Sequence, residues 1–219
     1  MTDPTYTDIT MVLDRSGSMQ SIKDDTIGGF DAFISEQRGL PGRCTVSLVQ
    51  FDNEYEEVYT GRAIADVPSL ALVPRGSTAM LDAIGRAVNA TGARLAALPE
   101  DQRPGTVIVG IMTDGLENAS HEFSYQTVKA LIEQQEQAYG WTFMYLGANQ
   151  DAIEVGASLG VARDRALTYA GPKVAAAMGA YSASVGMLRE AVAAGAPVAQ
   201  ARRRAAYSDE QREQAAGEG

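Results

Sequence analysis

The sequence predicts an α/β fold, a three-layer doubly wound arrangement in which a mostly parallel sheet with one antiparallel edge strand carries helices on both faces. Short apolar runs rich in β-branched residues have the length of strands that are buried on both sides. Stretches with apolar residues at helical spacing lie between these runs. Because strands that alternate with helices pair in parallel, the pattern favours one sheet covered by two helical layers.

The elements follow in order along the chain. Strands are predicted at residues 9–13, 46–51, 107–112 and 141–146. Residues 54–62 follow the second strand too closely for a crossover helix, so we expect them to return antiparallel at the edge of the sheet. The helices between the strands carry the apolar residues Met19, Ile22, Ile27, Phe30 and Ile34, then Leu81, Ile84, Val88 and Leu95, then Val128, Leu131 and Ile132.

Pro172 begins a further predicted helix. Its apolar residues form one stripe, which we expect to dock on the sheet or on a second subunit. Beyond this helix the composition becomes polar, with Ser208 and Gln211 spaced as in a capping box. We therefore expect one domain over residues 1–195 and a polar C-terminal tail over residues 196–219, either a short helix or disordered. The stripe consists of Val174, Met178, Tyr181, Val185, Leu188 and Val192.

The composition is that of a globular protein. The chain has 219 residues, of which 45% are hydrophobic and 21% charged. A formal net charge of −10 argues against a nucleic-acid partner, because nucleic-acid affinity comes mostly from Lys and Arg. Cys44 is the only cysteine, so no intrachain disulfide is expected. No signal-peptide or membrane-spanning pattern is visible, which predicts a cytoplasmic protein with no membrane partner.

Oxygen-bearing side chains recur where strands end. Asp14, Ser16 and Ser18 directly follow the first strand, Thr78 precedes the second helix, and Asp114 follows the third strand. In a parallel sheet these positions share the carboxyl edge, where open α/β sheets hold ligands. Carboxylate and hydroxyl oxygens are the donors that magnesium takes in octahedral geometry. We therefore expect these five residues to meet around one divalent cation, although a simple turn and helix N-cap is the alternative for the first three.

This order of motifs resembles the metal-ion-dependent adhesion site of von Willebrand factor type A domains. The motifs are DxSxS after a strand, a lone threonine in a Gly-Ser-Thr loop, and Thr-Asp-Gly after a later strand. The resemblance extends over roughly residues 6–195, and residues 141–156 are similar to those of small intracellular bacterial and phage members. It implies a six-stranded Rossmann-like sheet.

The resemblance also implies a role for each residue of the candidate site. Ser16 and Ser18 bind Mg²⁺ directly, Asp14 and Asp114 hold it directly or through water, and Thr78 joins them when the site is occupied. Mn²⁺ and Ca²⁺ are alternative ions.

The predicted function is a Mg²⁺-dependent protein–protein interaction module that is not an enzyme and has no catalytic residues. If the direct ligands are mostly neutral hydroxyls, the ion keeps much of its charge and attracts an Asp or Glu carboxylate of a protein partner. Glu117 and Asn118 closely follow the candidate site and are candidates for its rim, with an unspecific loop role as the alternative.

Three other functions are considered. A Mg²⁺-dependent phosphatase of the haloacid-dehalogenase type needs a second Asp as general acid where this chain has Ser16. A serine or cysteine hydrolase is disfavoured because His121 and Cys44 are single residues of their kinds. The third function is that of an accessory subunit in an AAA+ ATPase assembly, a role that is known for intracellular relatives of the family.

Overall fold

A computed structural model of the chain describes residues 2–217. Within them the strands are β1 (Asp3–Asp14), β2 (Arg43–Phe51), β3 (Tyr55–Ala63), β4 (Pro104–Thr113), β5 (Thr142–Ala148) and β6 (Ala166–Tyr169). The α-helices are α1 (Lys23–Arg38), α2 (Met80–Ala96), α3 (Tyr125–Tyr139), α4 (Ala152–Ser158), α5 (Val174–Ala193), α6 (Val198–Arg204) and α7 (Asp209–Ala216).

The six strands form one mixed sheet in the order β3-β2-β1-β4-β5-β6. All neighbouring strands pair in parallel except β2 and β3, which form the antiparallel pair at one edge. The predicted doubly wound sheet with one antiparallel edge strand is therefore confirmed. The short connection between β2 and β3 leaves no room for a crossover helix, which explains the reversal of direction.

Two apolar clusters cover the two faces of the sheet. Along β1, Ile9, Met11 and Leu13 belong to one cluster and Val12 to the other, because successive strand residues face opposite sides. Helices α1 and α5 cover the first face, while α2, α3 and α4 cover the second. These layers confirm the predicted three-layer architecture.

Helix α5 buries its predicted apolar stripe within the chain. It begins at Val174, directly after a short 3₁₀ turn that contains Pro172. Its contact with α1 is close, since a Cβ added to Gly29 would lie 2.9 Å from Cγ of Met178. The stripe was predicted to dock on the sheet or on a second subunit. In the structure it packs on the sheet of the same chain.

Two short helices, α6 and α7, pack against the domain after α5. The N–H of Tyr207 donates to the carbonyl of Asp164 at 3.0 Å, and Ala201 and Ala215 are fully buried. Ser208 forms the predicted capping box with its partner three residues later. Part of the predicted tail thus contributes apolar side chains to the core. The boundary at residue 195 stays a prediction, and residues 1, 218 and 219 lie outside the described residues.

Cys44 is buried in β2, as expected for a small residue of an inner strand. Burial raises the pKa of its thiol to about 11. Among residues 2–217, no helix has both the length and the apolar character needed to cross a membrane.

Candidate metal centre

Two parallel neighbours, β1 and β4, bring the first and last candidate residues to one edge of the sheet. Asp14 is the last residue of β1, and Asp114 directly follows β4. The hydroxyl of Ser18 donates to Oδ1 of Asp114 at 2.6 Å, and Oγ of Ser16 lies 3.1 Å from Oγ of Ser18. Residues that are far apart in the chain therefore form one continuous network. Ser18 is exposed, so this network is accessible from solvent.

The carboxylate of Asp14 lies beneath this network and is fully buried. It accepts hydrogen bonds from the N–H of Ser16 at 2.6 Å and from Oγ1 of Thr113 at 2.5 Å. Thr113 is the last residue of β4. It fixes the orientation of Asp14, because its hydroxyl donates to Asp14 and accepts from the N–H of Gly115.

Thr78 approaches the same place from the loop before α2. It is buried, and a Cβ added to Gly115 would lie 2.9 Å from Oγ1 of Thr78 and 3.6 Å from Oγ of Ser18. Glycine at this position thus keeps open the space between the two hydroxyls. The structure brings all five candidate residues together, three hydroxyls and two carboxylates from three separate segments.

Burial raises the pKa of Asp14 to about 6. Hydrogen bonds from Thr113 and Ser16 oppose this effect, while the negative charge of Asp114 adds to it. Burial also raises the pKa of Asp114, against the hydrogen bond from Ser18. None of the contacts described for Asp14 and Asp114 is made by a cationic side chain. A divalent cation bound between these two carboxylates would offset their charge.

The oxygen donors of the candidate centre are not all charged, because three of the five are hydroxyl groups. Among the residues that the structure describes, no group of three or more His, Cys, Asp or Glu side chains is arranged to hold a metal. A metal bound at this edge would therefore need the hydroxyls of Ser16, Ser18 and Thr78 in addition to the two carboxylates. Hard oxygen donors of this kind suit Mg²⁺ and, in a more flexible geometry, Ca²⁺.

The two rim candidates make hydrogen bonds within the loop and to α2. The carboxylate of Glu117 accepts from the backbone N–H groups of Leu81 at 2.9 Å and Ser120 at 2.7 Å. Asn118 pairs with Thr78 in both directions, as the Thr78 N–H donates to its side chain at 3.0 Å and its own N–H donates to the Thr78 carbonyl at 3.1 Å. Their place on the rim of a binding surface stays a prediction.

A buried ion-pair network beside the centre was missed in the sequence. Asp52 directly follows β2, is fully buried, and accepts from Nε of Arg15 at 3.1 Å and Nε of Arg75 at 2.8 Å. Burial alone would raise the pKa of Asp52, but hydrogen bonds from Arg75 and the Glu54 N–H and the charge of Arg15 lower it. The pattern that located Asp14 applies to Asp52 as well, since each aspartate stands at the end of a buried strand.

This network anchors the loop that carries Thr78. The N–H of Arg75 donates to the carbonyl of Arg15 at 2.8 Å, and the N–H of Ala79 donates to the carbonyl of Asp52 at 2.8 Å. Gly76 has a φ of +69°, and a Cβ there would clash with Oδ1 of Asn53. Backbone hydrogen bonds therefore hold the loop against the ends of β1 and β2. A residue larger than glycine at position 76 would disturb this arrangement.

No protein-family model and no curated protein sequence matches the chain, but solved structures resemble it. The vWF domain of the type V pili tip protein Mfa5 from Porphyromonas gingivalis has a TM-score of 0.57 and 13% identity, over 82% of this chain and 94% of that chain. A von Willebrand factor type A protein from Catenulispora acidiphila has a TM-score of 0.52 and 15% identity, over 83% and 42%. The pilus adhesin SpaC from Lactobacillus rhamnosus GG, in an open conformation, has a TM-score of 0.62 and 14% identity, over 83% and 30%.

The chain thus has the von Willebrand factor type A fold, a Rossmann-like α/β fold, as the sequence motifs suggested. It spans less than half of the length of most of these solved chains. At such low sequence identity the likeness concerns the fold.

Proposed function

We propose that the chain is a Mg²⁺-dependent protein-interaction module. Asp14, Ser16, Ser18, Thr78 and Asp114 would hold the ion, and an Asp or Glu carboxylate of a partner protein would complete its coordination. Bound there, the ion supplies a positive charge at the surface that attracts an anionic group. Mn²⁺ and Ca²⁺ are the alternative ions.

The observation that carries this proposal is the hydrogen-bonded chain of oxygen atoms at the edge of the sheet. Ser16 Oγ, Ser18 Oγ and Asp114 Oδ1 are linked at 3.1 and 2.6 Å, and this chain reaches solvent at Ser18. A bound cation would replace the hydrogen bonds among these groups by metal–oxygen bonds. The neutral hydroxyls would leave most of its charge available for a partner.

Two of the similar structures support an interaction role. One belongs to a type V pili tip protein, and the other is a pilus adhesin. We transfer only the general role, a domain that contacts another protein, and we propose that the chain has no catalytic activity. A cytoplasmic location stays a prediction.

The experiment is a calorimetric titration of Mg²⁺ into the full chain, its Ser16→Ala variant and a control variant, Ser158→Ala. Ser158 is exposed at the end of α4 and donates to the carbonyl of Val155. We expect Mg²⁺ to bind the wild-type chain and the control equally, and Ser16→Ala not to bind while its circular dichroism is unchanged. Equal Mg²⁺ affinity in all three proteins would reject the centre.

The interaction itself is tested with acetate as the simplest carboxylate probe. In NMR spectra of the Mg²⁺-loaded chain, acetate should shift the amide resonances of Ser16, Ser18 and Gly115 and leave distant ones unchanged. Acetate should have no effect on the same resonances in EDTA. Shifts that are identical with and without Mg²⁺ would contradict recognition through the metal.

A further inference from the structure

The loop after β4 and the start of helix α2 are interlocked beside the candidate centre. Helix α2 begins after Ala79, whose side chain cannot cap it. Instead, the N–H of Leu81 donates to the carboxylate of Glu117, and the N–H of Asp82 donates to Oγ of Ser120 at 3.1 Å. The loop thus supplies the hydrogen-bond acceptors that a helix N-terminus needs.

The helix in turn holds the loop. The carboxylate of Asp82 accepts from the N–H groups of His121 at 2.8 Å, Glu122 at 2.9 Å and Phe123 at 2.8 Å. Burial raises the pKa of Asp82, but these backbone hydrogen bonds outweigh burial and lower it. The loop and the start of the helix therefore hold each other in place and form one structural unit.

Within this unit, the pairing of Asn118 with Thr78 joins the loop directly to a candidate metal ligand. The two hydrogen bonds, at 3.0 and 3.1 Å, join Thr78, two residues before the helix, to the loop that begins with Asp114. Thr78 is buried, so solvent does not substitute easily for a lost partner. The pair thus ties Thr78 to the loop that carries Asp114.

We propose that Asn118 is a positioning residue, which holds Thr78 at a fixed distance from Asp114 and so makes the centre selective for a small cation. This inference rests on the proposed function. Mg²⁺ demands near-ideal octahedral geometry at about 2.0–2.1 Å, whereas Ca²⁺ accepts variable geometry at about 2.3–2.6 Å. A rigid set of ligands favours Mg²⁺, and a loosened set favours Mg²⁺ less.

The test compares Mg²⁺ and Ca²⁺ titrations of the full chain with those of Asn118→Ala, Asn118→Asp and Ser120→Ala. Asn118→Ala removes the side-chain acceptor for the Thr78 N–H but keeps the backbone bond. We expect its Mg²⁺ affinity to fall about five- to tenfold, the size of one hydrogen bond, and its Ca²⁺ affinity to fall less. The ratio of the two dissociation constants therefore changes.

Two variants separate positioning from general stability. Asn118→Asp keeps an oxygen acceptor for Thr78, and its added charge acts on both ions, so the Mg²⁺/Ca²⁺ ratio should return to the wild-type value. Ser120→Ala removes a helix-capping contact in the same unit without touching Thr78. It should lower the melting temperature but leave the ratio unchanged.

The outcomes are distinguishable. A wild-type chain that binds neither ion overturns the proposed function itself. A wild-type chain that binds Mg²⁺ while Asn118→Ala keeps the wild-type ratio overturns only the role of Asn118, as does a Ser120→Ala variant with an equal change of ratio. If Asn118→Ala does not fold, Asn118→Ser carries the same test, because its shorter side chain does not reach the Thr78 N–H.

Discussion

At the scale of single residues, the carboxylate of Asp14 is the most informative group. It is fully buried and close to Asp114, yet its contacts are an N–H and a hydroxyl rather than a cation. Burial of a charge without an ion partner is unfavourable. The same arrangement that weakens the metal-free chain prepares it for a divalent ion.

Replacing Asp14 by Asn should therefore stabilise the chain in EDTA and abolish its stabilisation by Mg²⁺. The amide keeps an acceptor for the N–H of Ser16 but removes the charge, a gain on the order of 2 kcal/mol near neutral pH. Asp14→Ala is less suitable, because it leaves the N–H of Ser16 and the hydroxyl of Thr113 without this acceptor. Thermal melts with EDTA and with Mg²⁺ test this, and a lower midpoint for Asp14→Asn in EDTA would contradict it.

The pH dependence of this difference follows from the raised pKa of Asp14. Its folded pKa is about 6 against an ordinary value of 3.8, so the folded state holds the extra proton between these two values. The contribution of Asp14 to the free energy of unfolding thus decreases as pH rises from about 4 to about 6. In urea titrations with EDTA, the advantage of Asp14→Asn should be full above about pH 6 and absent below about pH 4. An advantage that is constant with pH would show that charge is not its cause.

Gly115 controls the space between two candidate ligands. Its Cβ in Gly115→Ala would lie 2.9 Å from Oγ1 of Thr78 and push the hydroxyl away from Ser18. We expect Mg²⁺ affinity to fall at least about tenfold, because octahedral coordination tolerates little displacement. Calorimetry measures the change. Gly28→Ala is the matched control, since a Cβ at Gly28 meets no atom of the described residues within 4 Å.

At the scale of elements, the strands were more predictable than their connections. The four predicted apolar runs correspond to β1, β2, β4 and β5. The strands extend beyond the predicted ranges, except that β5 begins at Thr142, one residue after its predicted start. The four-residue strand β6 (Ala166–Tyr169) was not located in the sequence, because so short an edge strand carries too little periodicity. Capping of α2 by the β4–α3 loop was equally invisible, since it joins residues far apart in the chain.

This capping can be measured through Asp82. Asp82→Ala removes the acceptor of three backbone N–H groups and should lower the free energy of unfolding by about 1–2 kcal/mol. Amide hydrogen exchange should accelerate at His121, Glu122 and Phe123 before it does in the strands. Urea unfolding and exchange measurements test both parts. Unchanged protection at these three amides would show that the loop is held by other contacts.

At the scale of the whole molecule, the net charge of the chain and the candidate metal centre both affect the binding of cations. The formal net charge of −10 attracts cations to the surface and repels acidic partners over long distances. Attraction of Mg²⁺ by the whole chain adds to the local effect of Asp14 and Asp114. Long-range attraction is screened by salt, while contacts within the centre are screened much less.

Mg²⁺ affinity should consequently fall several-fold when ionic strength rises from a low to a physiological value. Titrations in increasing tetramethylammonium chloride measure this effect, because that bulky cation does not compete for an oxygen cage. Gly28→Ala should show the same dependence as the wild type, since its charge is unchanged. An affinity that does not vary with salt would show that only the local carboxylates matter.

The sequence by itself determined the class of fold and the position of the candidate centre. Buried strands, helical periodicity and the placement of Asp14 and Asp114 after strands are local patterns, and the shared carboxyl edge of parallel strands follows from them. Only the tertiary structure decided that Arg15 pairs with Asp52 and that Asn118 pairs with Thr78. Such pairs join segments that lie next to each other only after the helices have packed on the sheet, so no local pattern records them.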